Sequence, residues 1–155
     1  MAQALFANQR ESNLQSTIAL VEEVLVELGY PDARASDANT AHAWQIAKGS
    51  ATSRITLVDR AEFTHIRVCA TVMTLDAKVD RTALFAHLLE LNASLAGAAF
   101  ATEGDRVLLL SERSTLDLDR SEVLDLIRRL MMSADDHDDV LVARFGGTIG
   151  GSIPG

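Results

Sequence analysis

From Ser12 onward, apolar residues recur at Leu14, Ile18, Val21, Leu25 and Leu28, spacings of four and three that gather them on one face of a helix. Ser12 and Gln15 stand at capping-box spacing, and Gly29 followed by Pro31 supplies a stop. Leu20 and Val24 fall on a neighbouring face. Residues 31–41 carry no apolar period and read as a connecting loop. The period then shortens to two, which predicts strands around 42–48, with Trp44 and Ile46 alternating, around 53–59, with Ile55 and Leu57, and around 62–74. Gly49-Ser50 and Asp59-Arg60-Ala61-Glu62 separate them, both short enough for antiparallel hairpins. In the third strand Ile66, Val68, Ala70 and Val72 form one face. His65, Arg67, Cys69, Thr71 and Met73 form the other, a mixed face of the kind a solvent-facing or partner-facing sheet surface carries.

Helical spacing returns with Leu84, Leu88, Leu91 and Leu95 behind Asp80, a side chain suited to capping. Phe85 and Leu89 lie about 100° round from that stripe, so the apolar arc is wider than one sheet contact needs. Gly97 ends the helix. Residues 98–102 and 106–111 flank Glu103-Gly104-Asp105, a hairpin signal because glycine tolerates positive φ. A last helix opens at Asp119, with Glu122 three residues on as a reciprocal cap, and carries Val123, Ile127, Leu130, Ala134 and Leu141 inward with Phe145 continuing the stripe. The pattern predicts one α+β domain, a five-stranded antiparallel sheet with three helices in the order α-β-β-β-α-β-β-α. It spans residues 12–146, after an N-terminal segment 1–11 and before a flexible tail 147–155 in which TIGGSIPG offers neither period nor core residues.

Composition narrows the class. The chain has 155 residues, 48% hydrophobic and 23% charged, enough for one sizeable core and too apolar for a disordered segment. Its net charge of −8 opposes binding to a polyanion, so nucleic acid is not an expected partner. Cys69 is the single cysteine, which excludes an intramolecular disulfide and suits a reducing compartment. No signal-peptide pattern opens the chain and no segment reaches about 18 uninterrupted apolar residues, so a cytoplasmic protein without membrane contact is expected.

Catalytic vocabulary is nearly absent, and the chain reads as a non-enzyme with no cofactor. Gly49-Ser50-Ala51 lacks the second glycine of a nucleophile elbow, and Gly146-Gly147 with Gly150-Gly151 follow a helix instead of opening one, the wrong end for cradling phosphate. His42, His65, His87 and His137 fall on four different elements with no His-x-x-x-His pair, so no metal site is expected. The run from Asp135 to Asp139 reads as a solvated helix face, with His137 as a hydrogen-bonded boundary residue. Cys69 reads as a small packed side chain and Trp44 as a core residue.

The order of elements, together with Trp44 and Gly49-Ser50-Ala51 in the first hairpin, Leu88-Leu89-Glu90-Leu91-Asn92-Ala93 in the second helix, and Ala134-Asp135, Asp138-Asp139 and Phe145-Gly146 near the end, resembles the YbjN-like family, relatives of type III secretion chaperones. The resemblance covers roughly residues 12–146. It implies a type III secretion chaperone-like fold, frequent homodimerisation through the second helix and neighbouring strands, and binding of extended partner segments. It also brings the description of a sensory-transduction regulator. Two functions follow as expectations: a peptide-binding chaperone or adaptor, and a regulatory domain that responds to a small ligand. The residues proposed for protein binding are Arg67, Cys69, Thr71 and Met73, and those proposed for a dimer interface are Phe85, Leu89 and Asn92.

Overall fold

A computed structural model describes residues 2–35, 42–60 and 63–151, with side chains from Gln9 onward. Residues 36–41 of the expected loop, the turn at 61–62 and the last four residues of the expected tail lie outside the described residues. The elements run α1 (Ala2–Glu27), β1 (Ala43–Lys48), β2 (Ala51–Arg60), β3 (Phe63–Thr74), α2 (Arg81–Asn92), β4 (Ala99–Glu103), β5 (Arg106–Ser114), α3 (Arg120–Phe145) and β6 (Thr148–Ile149). The sheet is antiparallel throughout, in the order β1-β2-β3-β5-β4, with β6 added to β3.

Several boundaries differ from the periodicity: α2 stops at Asn92, short of Leu95 and Gly97, β5 runs on to Ser114, and the two ends of the chain depart furthest. The first helix starts at Ala2, not Ser12, because Ala2, Ala4, Leu5 and Ala7 favour helix and nothing among them breaks it. Ser12 is therefore a helix-interior residue, and Gln15 donates to Glu11 instead of closing a box. At the other end the sheet has six strands, not five. Residues expected in a flexible tail form β6, with Met73 opposite Ile149 and Thr74 opposite Thr148. No periodicity marks a two-residue strand; its partner, β3, lies more than seventy residues earlier in the chain.

The other boundaries follow local chemistry. Asp80 caps α2 by accepting from the Ala83 backbone N–H. Asp119 and Glu122 form the complete reciprocal box at the start of α3. Gly104 takes φ +57° in the two-residue turn between Glu103 and Arg106.

Ile18, Val21, Val24 and Leu25 from α1, Leu84 and Leu88 from α2, and Val123, Ile127, Leu130, Ala134 and Leu141 from α3 join one core with the inward residues of the strands. Those strand residues include Trp44, Ile46, Ile55, Leu57, Ile66, Val68, Ala70, Leu109 and Phe100. All three helices thus pack on one face of the sheet, and the expectation that Trp44 is core holds: it is buried in the core, with the Arg34 guanidinium 5.9 Å above its ring. Leu91, in the last turn of α2, and Leu95, beyond its end, are only half-buried at the margin of the core.

Both outer strands are blocked at specific positions. Beside β1, the Ala35 N–H donates to Ala43 O, the Gln45 N–H to Ala33 O, and the Tyr30 hydroxyl to Ala47 O. Beside β4, the Asn92 amide donates to Phe100 O at 3.1 Å and accepts from the Phe100 N–H at 2.7 Å. One side-chain amide there supplies the hydrogen bonds of a missing strand residue.

Candidate functional site

The register assigns the opposite face of the sheet. Arg54 stands across from Cys69 and Thr56 from Arg67, while on the other side Cys69 pairs with Leu110, Thr71 with Leu108 and Arg67 with Glu112. Ala99 and Ala101 complete the row on β4. Among the described residues no helix packs on this face, and its buried members, Cys69, Thr71, Arg54 and Leu108, lie outside the main core. Small side chains are sunk between long ones: Cys69 and Thr71 sit low while Arg67 and Leu110 remain part-exposed.

Arg67, Cys69 and Thr71 stand on this outer face, as their alternation requires. Met73 does not, and here the expectation is corrected. The ladder between β3 and β5 slips by one residue between Thr71 and Met73, so the bulge at Val72 turns Met73 inward, opposite Val107, where it is fully buried in the core. Thr74 in turn faces outward.

Charge on the outer face is organised around Glu112. It accepts from Arg60 Nε at 2.8 Å and Nη2 at 3.0 Å, and from Arg67 Nη1 at 3.0 Å, which ties β2, β3 and β5 together. The Arg60 hydrogen bonds, with those of Arg67, hold the Glu112 carboxyl below its usual range against the opposing effect of partial burial. Burial pushes the Cys69 thiol up, more than nearby Arg67 and Arg106 bring it down, so the thiolate is disfavoured. Arg106 pairs with Glu103 at 2.9 Å beside it. The Thr71 hydroxyl is buried without a hydrogen-bond partner among the described residues.

On α2 the three residues proposed for a dimer contact have different surroundings. Leu89 is 70% exposed. Phe85 is half-buried against the core, and the Asn92 amide is already engaged with the β4 backbone. Next to them His87 lies beside Phe145 and Arg144 of α3, its ring 5.5 Å from that of Phe145.

The acidic run on α3 is not uniformly solvated. Asp135, Asp136 and Asp139 are exposed, but Asp138 is 2% exposed, accepts from the Ser50 hydroxyl at 2.6 Å, and is the group on which the first hairpin turn rests. His137 is the boundary residue expected, its Nδ1 2.7 Å from Ser133 O and its ring edge-on to Phe100. Among the described residues no three of His, Cys, Asp and Glu are grouped as metal ligands, and no helix is long and apolar enough to cross a membrane. A groove of about 500 Å³ opens between the link from α2 to β4, β5 and α3. Its charged lining is internally paired, Arg113 with Glu122 at 2.8 Å and Arg129 with Asp125 at 2.7 Å.

The domain thus has its helices on one face of an antiparallel sheet and, among the described residues, no helix on the other. Residues 15–149 match the family model described as "T3SS (YopN, CesT) and YbjN peptide-binding chaperone 1", and the chain belongs to that family. Among solved structures, it is similar to a chain of the ExsC-ExsE complex, with 15% identity, a TM-score of 0.64, and coverage of 82% of this chain and 94% of that one. It also resembles a chain of the HopA1-SchA chaperone-effector complex, at 13% identity and TM-score 0.59, covering 83% and 97%. A third likeness is to a chain of the heterodimeric ExoU-SpcU complex from the type III secretion system of Pseudomonas aeruginosa, at 16% identity and TM-score 0.54, covering 80% and 96%. At these identities the likeness is one of fold. No curated protein matches the chain.

Proposed function

We propose that the protein is a non-enzymatic chaperone or adaptor of the cytoplasm that binds an extended segment of a partner protein on the outer face of its sheet and works as a homodimer. The observation that carries the reading is the helix-free face around Arg67, Cys69, Thr71, Leu108 and Leu110 in a chain of a peptide-binding family. Shallow troughs of small side chains between longer ones suit a segment that presents alternate residues to the sheet. The lone cysteine, buried and with its thiolate disfavoured, suits packing better than nucleophilic chemistry.

The dimer part rests on Leu89, whose exposure leaves a large apolar side chain in water beside Phe85. An isologous contact through α2 buries both. Light scattering is expected to give twice the chain mass, and Leu89→Glu to return a folded monomer; a wild-type monomer at micromolar concentration removes the dimer.

For the binding face, the decisive experiment is hydrogen exchange on the chain with and without a partner captured by affinity purification. Added protection in β3 and β5 is expected. Protection confined to the groove between β5 and α3 transfers the assignment to a regulatory domain that responds to a small ligand.

A further inference from the structure

The sheet has one strand position that the molecule fills with a piece unlike its other strands. On the side of β3 where β2 pairs, the ladder ends at Thr71 opposite Thr52, and residues 72–74 continue past it. Their free edge is taken by β6, which pairs Met73 with Ile149 and Thr74 with Thr148. The Gly150 N–H donates to Val72 O at 2.9 Å, and the Thr74 hydroxyl donates to Gly150 O at 2.8 Å. Beyond Gly150 the chain passes onto the outer face, since a side chain on Gly151 would meet the Thr74 hydroxyl and lie 3.7 Å from the Thr71 methyl.

This segment is shaped for the slot yet lightly held. A Cβ on Gly147 would come 2.5 Å from Thr74 O, and Gly147 and Gly151 have φ of +82° and +133°, so both positions require glycine on two separate grounds. Against that fit stand only two ladder residues. Thr148 is exposed and Ile149 is 37% exposed, so little apolar surface leaves water when the strand docks. The buried Thr71 hydroxyl beside the slot stays without a partner among the described residues while the segment is in place. An occupant with more to offer, lying further along the outer face, would satisfy it.

We propose that the edge of β3 at residues 72–74 is a strand-accepting site for an extended segment of a partner protein, and that the molecule's own residues 147–151 hold the site when no partner is bound. The partner segment is defined by the resident one: a pair of β-branched residues in extended conformation, flanked by glycine where the Thr74 carbonyl and hydroxyl leave no room. A tethered occupant acts at an effective concentration on the order of millimolar. A free segment of equal affinity therefore cannot displace it, and a partner succeeds by adding contacts on the outer face. The proposal rests on the reading of the protein as a binder of extended segments, but its test needs no natural partner.

The probe is a fluorescein-labelled synthetic peptide of residues 146–155, titrated by anisotropy into the full-length chain and into full-length Gly147→Ala, whose added methyl meets the Thr74 carbonyl and the end of the Met73 side chain and expels β6. The variant is expected to bind the probe at least tenfold more tightly than the wild type. A second full-length variant, Gly151→Ala, opens the slot from its far end and is expected to change binding in the same direction, which keeps the test decisive if Gly147→Ala fails to fold by circular dichroism. Equal binding by the wild type and a folded variant, or no binding by either, overturns the slot. A captured partner that protects the outer face equally in the wild type and both variants likewise overturns the slot, while leaving the chaperone reading intact. Probe uptake by the variants with no partner protecting that face has the reverse meaning.

Discussion

Asp138 is a buried carboxylate held by two donors. It belongs to a run of four aspartates, and the α3 register buries it beneath the turn between β1 and β2, where the Ser50 hydroxyl and the Asp139 N–H reach its two oxygens, while the exposed Asp135 lies beside Gly49 of the same turn. Removing the hydroxyl leaves a buried carboxylate short of a donor, and Ser50→Ala is expected to cost about 1–3 kcal/mol in urea denaturation. An unchanged midpoint would mean that water replaces the hydroxyl. Cys69 makes the contrasting case of a reactive group kept idle by its surroundings. It is 8% exposed and its thiol is pushed up by burial, so in the folded protein it is expected to react with a disulfide reagent at neutral pH far more slowly than in denaturant. Equal rates in the two states would place the thiol in the open.

Among the elements, α2 shows how far a stripe drawn from spacing can be trusted. Leu84 and Leu88 are buried in the core, whereas Leu91, in the last turn, and Leu95, beyond the helix end, are half-buried at its margin. Leu84→Ala is accordingly expected to destabilise by about 2–5 kcal/mol, and Leu91→Ala by clearly less, measured by chemical denaturation of the two variants side by side. A larger loss at Leu91 would rotate the helix. The caps of α2 and α3 were legible in advance, since Asp80, Asp119 and Glu122 act on backbone groups three residues away. The start of α1 was not, because Ser12 and Gln15 have the spacing of a box but sit inside a helix whose preceding residues also favour it.

For the molecule as a whole, Glu112 joins the three central strands by accepting from Arg60 and Arg67, and this gives folding an acid-side pH dependence. Its carboxyl titrates below the usual value when folded, so the unfolded chain binds the proton first as pH falls. The stabilisation is fully present above the unfolded glutamate value of about 4.3 and is lost as pH drops through the lower folded value. Melting temperatures between pH 2 and 6 should therefore converge for the wild type and Glu112→Gln at the acid end and separate above it. Curves that stay parallel would remove Glu112 as a contributor.

What the sequence by itself determined are the features whose causes lie within a few residues: the periods of two and about four that distinguish strands from helices, the turn glycines, the caps, and from these the α+β class and the element order. Arg67, Cys69 and Thr71 also share a face by alternation alone, a face that register then showed to be free of helices among the described residues. Contacts between distant parts of the chain decided the rest. The bulge at Val72, which takes Met73 out of that face, exists because β3 and β5 must change register there. Likewise the Asn92 amide is occupied by the β4 edge, Asp138 is buried by the turn at Ser50, and β6 is a strand only because residues 72–74 offer an edge. Two residues with glycines on either side carry no periodicity of their own, so their structure is set entirely by the partner they meet.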